Sequence, residues 1–285
     1  MRIDVKENAL YFLDPTILKT LLLDRTTRKN IIWATDDYVS LGEQYAADKE
    51  ILPICITGLF GNTIRPRVDK SKEEQSTRIR DKAEVFTPSW VCNCQNNLVD
   101  HAWFGRNDVF NTETGKGWVT HYEKVTFPDE KGKSWQDYVK ENRLEITCGE
   151  APYLASRYDT VTGKVIPVKD RIGLLDRKLR IVSENVEEES EWLTWAKRAV
   201  QSVYGFEWQG DNVLLARENL LFTVMDFHEE KFHKSLAKNI KYLGEIARVL
   251  SWNIWQMDGL KFVVPNSCHD GCEGCAKRDL GKHNG

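Results

Sequence analysis

The pattern that most constrains this chain is a strand that ends on an acidic residue and leads into a helix, met three times in order. Residues 143–159 read RLEITCGEAPYLASRYD: a short strand carrying Leu144, Glu145 and Ile146, a small-residue turn at Thr147, Cys148 and Gly149, then a helix-like run through Tyr153, Leu154 and Tyr158. Residues 203–210, VYGFEWQG, repeat the arrangement with Glu207 at the strand end, followed by Asp211 as a cap for a helix presenting Leu214, Leu215, Leu220, Leu221 and Val224. A helix through Leu236, Ile240, Leu243 and Ala247 leads to the third strand, residues 253–256, with Asp258-Gly259 at its end. Alternating strands and helices predict an α/β fold with parallel strands. Parallel strands bring their carboxyl ends to one edge of the sheet, where nucleotide-type ligands are met, and a carboxylate there can take two ribose hydroxyls.

The chain has 285 residues, enough for one large domain with an appendage or for two small ones. An apolar fraction of 41% with 29% charged residues is that of a soluble globular protein. A formal net charge of −3 argues against a chain dedicated to coating nucleic acid, although Arg65, Arg67 and Lys70 to Lys72 form local basic stretches. No apolar run has membrane-spanning length and residues 1–6 carry no signal-peptide pattern, so a cytoplasmic protein with no membrane partner is expected. In that compartment the 7 cysteines read as reduced thiols with a metal site rather than as a disulfide framework. The 10 tryptophans read as core packing in preference to base stacking.

Upstream of the three units, residues 1–50 are expected to be mainly helical, with Ile17, Leu18, Leu21 and Leu22 at helical spacing and Asp36-Asp37 opening the next element. Residues 58–81 turn polar and charged, which predicts a loop leading into a charged helix or linker and a boundary near residue 80. In residues 84–103, Thr87 can cap a helix with Pro88 in its first position, and Val91, Cys94, Leu98 and Ala102 fall on one face. Cys92 and Cys94 then point apart and read as packing residues. Residues 105–132 predict loop or hairpin, with β-like pieces at 118–121 and 124–127. Residues 160–190 read as an insertion containing Gly163, Pro167 and the acidic run Glu187 to Glu189. Within it Lys164, Lys169, Arg171, Arg177, Lys178 and Arg180 surround Ile172, Leu174, Leu175 and Leu179, which reads as a solvated helix in preference to a phosphate-facing patch. Trp192, Trp195, Ala196, Ala199 and Val203 form a helical stripe expected in the core.

The order of these segments resembles the S-adenosylmethionine-dependent adenine DNA methyltransferases of restriction systems, particularly those described as a restriction endonuclease M subunit. The likeness covers roughly residues 80–265. Phe86-Thr87-Pro88 is similar to the family's Phe-Thr-Pro segment, which opens the helix beside the methionine end of the cofactor. Residues 145–151, EITCGEA, are similar to its Asp-Pro-x-Cys-Gly-x-Gly loop. The resemblance therefore implies a Rossmann-like methyltransferase fold and cofactor contacts from Phe86, Thr87, Pro88, Glu145, Thr147, Cys148 and Gly149. It makes Glu207 the ribose-binding acid, places Trp208 beside the adenine ring and gives Asp258 the adenine amino group. Two departures stand out. Ala151 replaces the loop's last glycine, and where the family has Asn or Asp, two prolines and an aromatic, this chain offers Pro265-Asn266-Ser267-Cys268. Pro265 and Asn266 are left as the candidate catalytic positions, since the chemistry needs acceptors for the target amine and an aromatic face for an extruded base.

The tail adds C-x3-C-x2-C-x7-H at Cys268, Cys272, Cys275 and His283, a ligand set suited to structural zinc, with His269 as an alternative fourth ligand. Free thiols in the tail are the competing reading. The chain thus divides on paper into a mainly helical region 1–80, a methyltransferase-like domain 81–265 and a Cys-rich tail 266–285. The expected function is methyl transfer from S-adenosylmethionine to the adenine amino group of DNA in a restriction or phage-defence setting. The alternative is a catalytically inactive relative that binds DNA, cofactor or a partner methyltransferase and regulates it. With no separate target-recognition domain apparent, a partner methyltransferase, specificity or nuclease subunit is expected. A nuclease has little support, because no carboxylate pair and lysine are spaced for two-metal cleavage.

Overall fold

A computed structural model describes residues 7–72, 75–76 and 87–265. The three expected strands form one parallel sheet in the order β3 (Arg143–Ile146), β4 (Val203–Glu207), β5 (Ile254–Gln256), preceded by an antiparallel hairpin of β1 (Asn111–Glu113) and β2 (Trp118–Thr120). The chain is therefore a mixed α/β protein. Helices α5 (Leu174–Asn185) and α6 (Glu189–Gln201) connect β3 to β4, while α7 (Gly210–Phe232) and α8 (Ile240–Asn253) connect β4 to β5. The leucines and Val224 expected on α7 are all buried, as are Trp192, Ala196 and Ala199 of α6. Among the described residues no helix is long and apolar enough to cross a membrane.

Strand β3 turns its acid inward and its aliphatic residues outward. Its acidic residue Glu145 is buried, whereas Leu144 and Ile146 are 49% and 44% exposed. Side chains alternate across a strand, and the register that carries the turn toward β4 leaves only one residue of the three on the inner face. The helix-like run after Gly149 is a single turn, with the Leu154 and Ala155 amides both bonded to the Ala151 carbonyl, and α-helix resumes only at Leu174. The run expected through Tyr153, Leu154 and Tyr158 stops after that turn because the Ser156 amide donates to the Asp176 carboxylate at 2.8 Å instead of continuing the helical ladder.

The N-terminal residues share this core. On α1 (Glu7–Leu13) and α2 (Pro15–Leu22), Leu10, Ile17, Leu18, Leu21 and Leu22 join one buried cluster that extends to Ile254. Asp14 caps α2 by accepting from the Thr16 amide at 2.7 Å. Beyond α2 the chain runs through turns and short 3-10 pieces with one four-residue helix at Pro53–Ile56, and Asp36-Asp37 precede only a short 3-10 turn at Val39–Leu41. Arg217 of α7 donates to the carbonyls of Leu21, Leu23, Ser251 and Ile254, while the Gln256 amide both donates to the Ile32 carbonyl and accepts from the Ile32 amide. Gly210 is needed where this segment crosses the start of α7, since a Cβ there would lie 2.0 Å from the Ile32 carbonyl oxygen. Asp211 is not the cap of α7: it lies inside the first turn, fully buried, and accepts from Tyr38 at 2.7 Å and Lys70 at 3.3 Å.

Helix α3 (Ser89–Phe104) turns the opposite face inward from that suggested by Val91, Cys94, Leu98 and Ala102. Asn93, Asn96 and Asp100 are buried and Leu98 is 68% exposed. The cause is Arg177 of α5, whose guanidinium bonds Asp100 and, at 2.8 Å each, Asn93 and Asn97. Tyr138 of α4 (Trp135–Lys140) donates to the other Asp100 oxygen at 2.7 Å. Nor does Thr87 cap α3. Pro88 occupies the cap position, and the Ser89 amide is taken by Asp159 at 2.8 Å. The basic run leading into α5 is not a solvated face either: Arg171, Arg177 and Lys178 are buried, Lys178 bonding the Val139 carbonyl at 3.1 Å and the Ser202 hydroxyl. Burial holds the Lys178 amine well below its ordinary pKa. Of the six basic residues only Lys164 and Lys169 stay exposed.

Candidate functional site

The carboxyl ends of β3, β4 and β5 open into one cleft of about 490 Å³. Glu145, Thr147, Cys148 and Gly149 reach it from β3, Glu207 and Trp208 from β4, and Asp258 from the loop after β5, and Thr87 also lines it. Parallel pairing explains the convergence: Ile146 sits opposite Phe206, and Glu207 opposite Gln256, so the three strands end nearly level. The Cys148 amide extends the ladder by one bond, donating to the Phe206 carbonyl at 2.9 Å.

Beyond that bond the backbone folds sharply, with Thr147, Gly149 and Ala151 all at positive φ (54°, 52° and 62°). Such angles suit Gly149 but strain Thr147 and Ala151, a cost that persists only where surrounding contacts hold the turn. Glu207 supplies that hold. Its carboxylate accepts from the Gly149 amide at 2.8 Å and from the Gln209 amide at 3.0 Å, tying the β3 turn to the end of β4. The Cys148 side chain is buried, and burial together with Glu145 and Glu207 pushes its thiol pKa well up, so it packs rather than reacts. It fits because β4 has Gly205 beside it, where a Cβ would lie 2.9 Å from Cys148 Sγ and 3.1 Å from Ile254 Cδ1. Gly205→Ala is expected to destabilise the protein by about 1–3 kcal/mol in urea unfolding, and adding Cys148→Ala should recover part of that loss.

Glu145 is the most unusual group in the cleft. One carboxyl oxygen accepts a long bond, 3.4 Å, from the Tyr153 amide, and the other is buried with no hydrogen-bond partner. Burial raises its pKa well above the ordinary carboxylate value and nearby Glu207 adds to the rise, against the Tyr153 and Leu154 amides. The folded protein therefore holds this proton more tightly than the unfolded chain does. Stability falls as pH rises from the ordinary carboxylate range through the raised value, by at most about 1.4 kcal/mol per pH unit for one proton. Urea titrations across that window should show a flatter pH dependence for Glu145→Gln than for the parent, with higher stability at the alkaline end.

Asp258 has a share in its own loop. Its Oδ1 accepts from the Leu260 and Lys261 amides, both at 2.9 Å, and its Oδ2 lies 3.9 Å from Lys261 Nζ. Gly259 passes so close to β3 and β4 that a Cβ would lie 2.6 Å from Ile146 Cγ2. Trp208 is 39% exposed, and its carbonyl accepts from Gln256 at 2.9 Å.

Among the cleft residues that sequence reasoning did not mark as site residues are Ala34, Tyr153 and Asn212. Ala34 arrives because Gln256 grips the backbone of Ile32, a tertiary contact with no local signal. Asn212 follows from the start of α7 at Gly210 instead of at a capping Asp211. Pro88 does not line the cleft but an adjacent groove, and Pro265 lines neither. Phe86, Asn266, Cys268, Cys272, Cys275 and His283 lie outside the described residues. Among the described residues no group of His, Cys, Asp or Glu is arranged to hold a metal ion, and Cys55, Cys92, Cys94 and Cys148 are free thiols.

Comparison with known proteins gives no match to any family model, curated protein or solved structure.

Proposed function

We propose that the cleft binds S-adenosylmethionine within a Rossmann-like methyltransferase fold and that the protein is a DNA methyltransferase-like component of a restriction or phage-defence system, directed at the adenine amino group. The observation that carries this reading is the delivery of three acidic side chains to one cleft by three successive parallel strand ends, with a positive-φ turn after the first. A volume of about 490 Å³ lies within the range of ligand pockets, roughly 300–1,000 Å³. The donor set fits the cofactor. Glu207, oriented by the Gly149 and Gln209 amides, would hold the ribose hydroxyls, and half-exposed Trp208 would lie along the adenine ring. Glu145, buried with one orphaned oxygen, would take the ammonium group and lose its proton as it did so. Thr147, Cys148 and Gly149 would approach through backbone, and Asp258 would accept from the adenine amino group. When bound, S-adenosylmethionine supplies an activated methyl group; the chain's residues orient it and exclude water around it.

A second reading is favoured by one observation: Pro265 does not line the cleft. A relative that binds cofactor, DNA or a partner methyltransferase without transferring the methyl group is its content, and a partner subunit would then bring the catalytic acceptors. Calorimetric titration with S-adenosylmethionine tests the first reading, and no heat with no thermal shift at millimolar ligand would sink it. Transfer of labelled methyl to unmethylated DNA by the purified chain separates enzyme from regulator. Zinc in the tail is proposed on the Cys268, Cys272, Cys275 and His283 spacing alone, and metal analysis showing well under one zinc per chain would dispose of it.

A further inference from the structure

A groove of about 850 Å³ runs beside the cleft, between the start of α3, the β1–β2 hairpin and the loop at 159–170. The two share a wall. Thr87 lines the cleft and the next residues, Pro88 and Ser89, line the groove, while Thr160 donates to the Thr87 carbonyl at 3.0 Å and Asp159 holds the Ser89 amide. Three aromatic side chains line the groove: Trp90, Trp118 and Tyr122. Tyr122 is 64% exposed, far more than packing alone would leave it, and Trp118 is fixed by its indole N–H on the Asp170 carbonyl at 3.0 Å.

The charges that face outward here are positive. Lys116 and Lys164 line the groove and are exposed, and Lys169 Nζ lies 5.4 Å from the Tyr122 ring centroid. The two lining acids are turned to internal work. Asp159 accepts from the amides of Ser89, Val161 and Thr162 and from the Thr162 hydroxyl, and Asp170 accepts from the Tyr122 hydroxyl at 2.8 Å. Aromatic faces flanked by exposed ammonium groups are the chemistry that receives unpaired bases on rings and phosphates on lysines. Duplex DNA hides its base faces in the stack, so only an unpaired strand can use the rings.

We propose that this groove binds single-stranded nucleic acid, with bases stacked on Trp90, Trp118 and Tyr122 and the backbone along Lys116 and Lys164. The site is distinct from the cofactor cleft and does not require the methyltransferase reading, because the two bind different ligands through different residues. Their shared wall would set a strand held in the groove next to the cleft.

The test is fluorescence anisotropy of a labelled mixed-sequence single-stranded oligonucleotide titrated with the full chain, with the duplex of the same sequence as comparison. Three proteins are used: the parent, Tyr122→Ala, and the double variant Lys116→Glu with Lys164→Glu. All three altered side chains are exposed, so folding is checked by circular dichroism and is expected to be unchanged. Single strand should bind more tightly than duplex. Tyr122→Ala should weaken it by about 5- to 150-fold, the range of one base stack. The lysine variant should weaken it at least tenfold and lower the slope of log affinity against log salt by about 1.4, two phosphate contacts at roughly 0.7 each. Absence of oligonucleotide binding at low salt would overturn the proposal. So would equal binding by all three proteins, or binding of a proline-rich peptide, the other common guest of aromatic grooves, in place of the oligonucleotide. Repeating the titration with saturating S-adenosylmethionine keeps this result separable from the cofactor proposal, whose own readout is heat with cofactor alone.

Discussion

Glu207→Ala is expected to lose S-adenosylmethionine binding in calorimetric titration and to unfold at lower urea concentration than the parent. Two costs combine. On the proposed reading the ribose hydroxyls would lose their acceptor, and the Gly149 and Gln209 amides lose the carboxylate they bond at 2.8 and 3.0 Å. Hydrogen bonds to a charged group are worth about 1.5–3 kcal/mol each, so a stability loss of about 2–4 kcal/mol is expected after partial rehydration. The strained turn makes the loss local as well as global: without its anchor, the positive-φ backbone at Thr147 and Ala151 has less to hold it. Glu207→Gln separates the two costs. An amide oxygen still accepts one backbone bond, so stability should lie between parent and alanine variant while binding remains lost. A Glu207→Ala protein that bound the cofactor like the parent would remove the residue on which the cleft assignment most depends.

Asp100→Ala should give the largest stability loss among substitutions away from the cleft, about 3–5 kcal/mol in urea unfolding. Asp100 sits on the inner face of α3, buried, with Arg177 on one oxygen and the Tyr138 hydroxyl on the other. Truncation leaves a buried guanidinium without its counter-charge and a phenol without an acceptor, and the bonds from Arg177 to Asn93 and Asn97 do not replace a charge. By contrast Leu98→Ser, two residues away on the exposed face, should stay within about 0.5 kcal/mol of the parent. Hydrophobic spacing alone implies the reverse order. If Leu98→Ser proved the more damaging, the inward face of α3 would be the apolar one after all.

These two cases show where local pattern was sufficient and where it was not. The strand and turn chemistry around Glu207 is legible because each step depends on near neighbours: a β-prone run, an acid at its end, then a long apolar helix. Level ends follow from parallel pairing, so three separate acids could be assigned to one cleft before any contact was known. Helix α3 was misread because a helix has two candidate faces here, one with Val91, Leu98 and Ala102, the other with Asn93, Asn96 and Asp100. Which one packs is decided by Arg177, more than seventy residues downstream, and a buried cation demands polar partners more strongly than two aliphatic side chains demand cover. The basic run leading into α5 is buried for the same reason, since Lys178 and Arg171 find their acceptors in Ser202 and Asp226.

From the sequence by itself came the α/β alternation, the three strand ends and their acids, and the small residues of the turn after β3. Those depend on side-chain period and backbone preference, which act over a few residues. Only the tertiary structure decided that Glu145 is buried with an orphaned oxygen, that Glu207 anchors Gly149, and that Ala34 and Asn212 complete the cleft. It alone set Lys164 beside Trp118 and Tyr122, residues with no common pattern in the chain. The physical reason is that burial and charge compensation are settled by partners distant in sequence, and a polar group's energy depends on which of them it meets.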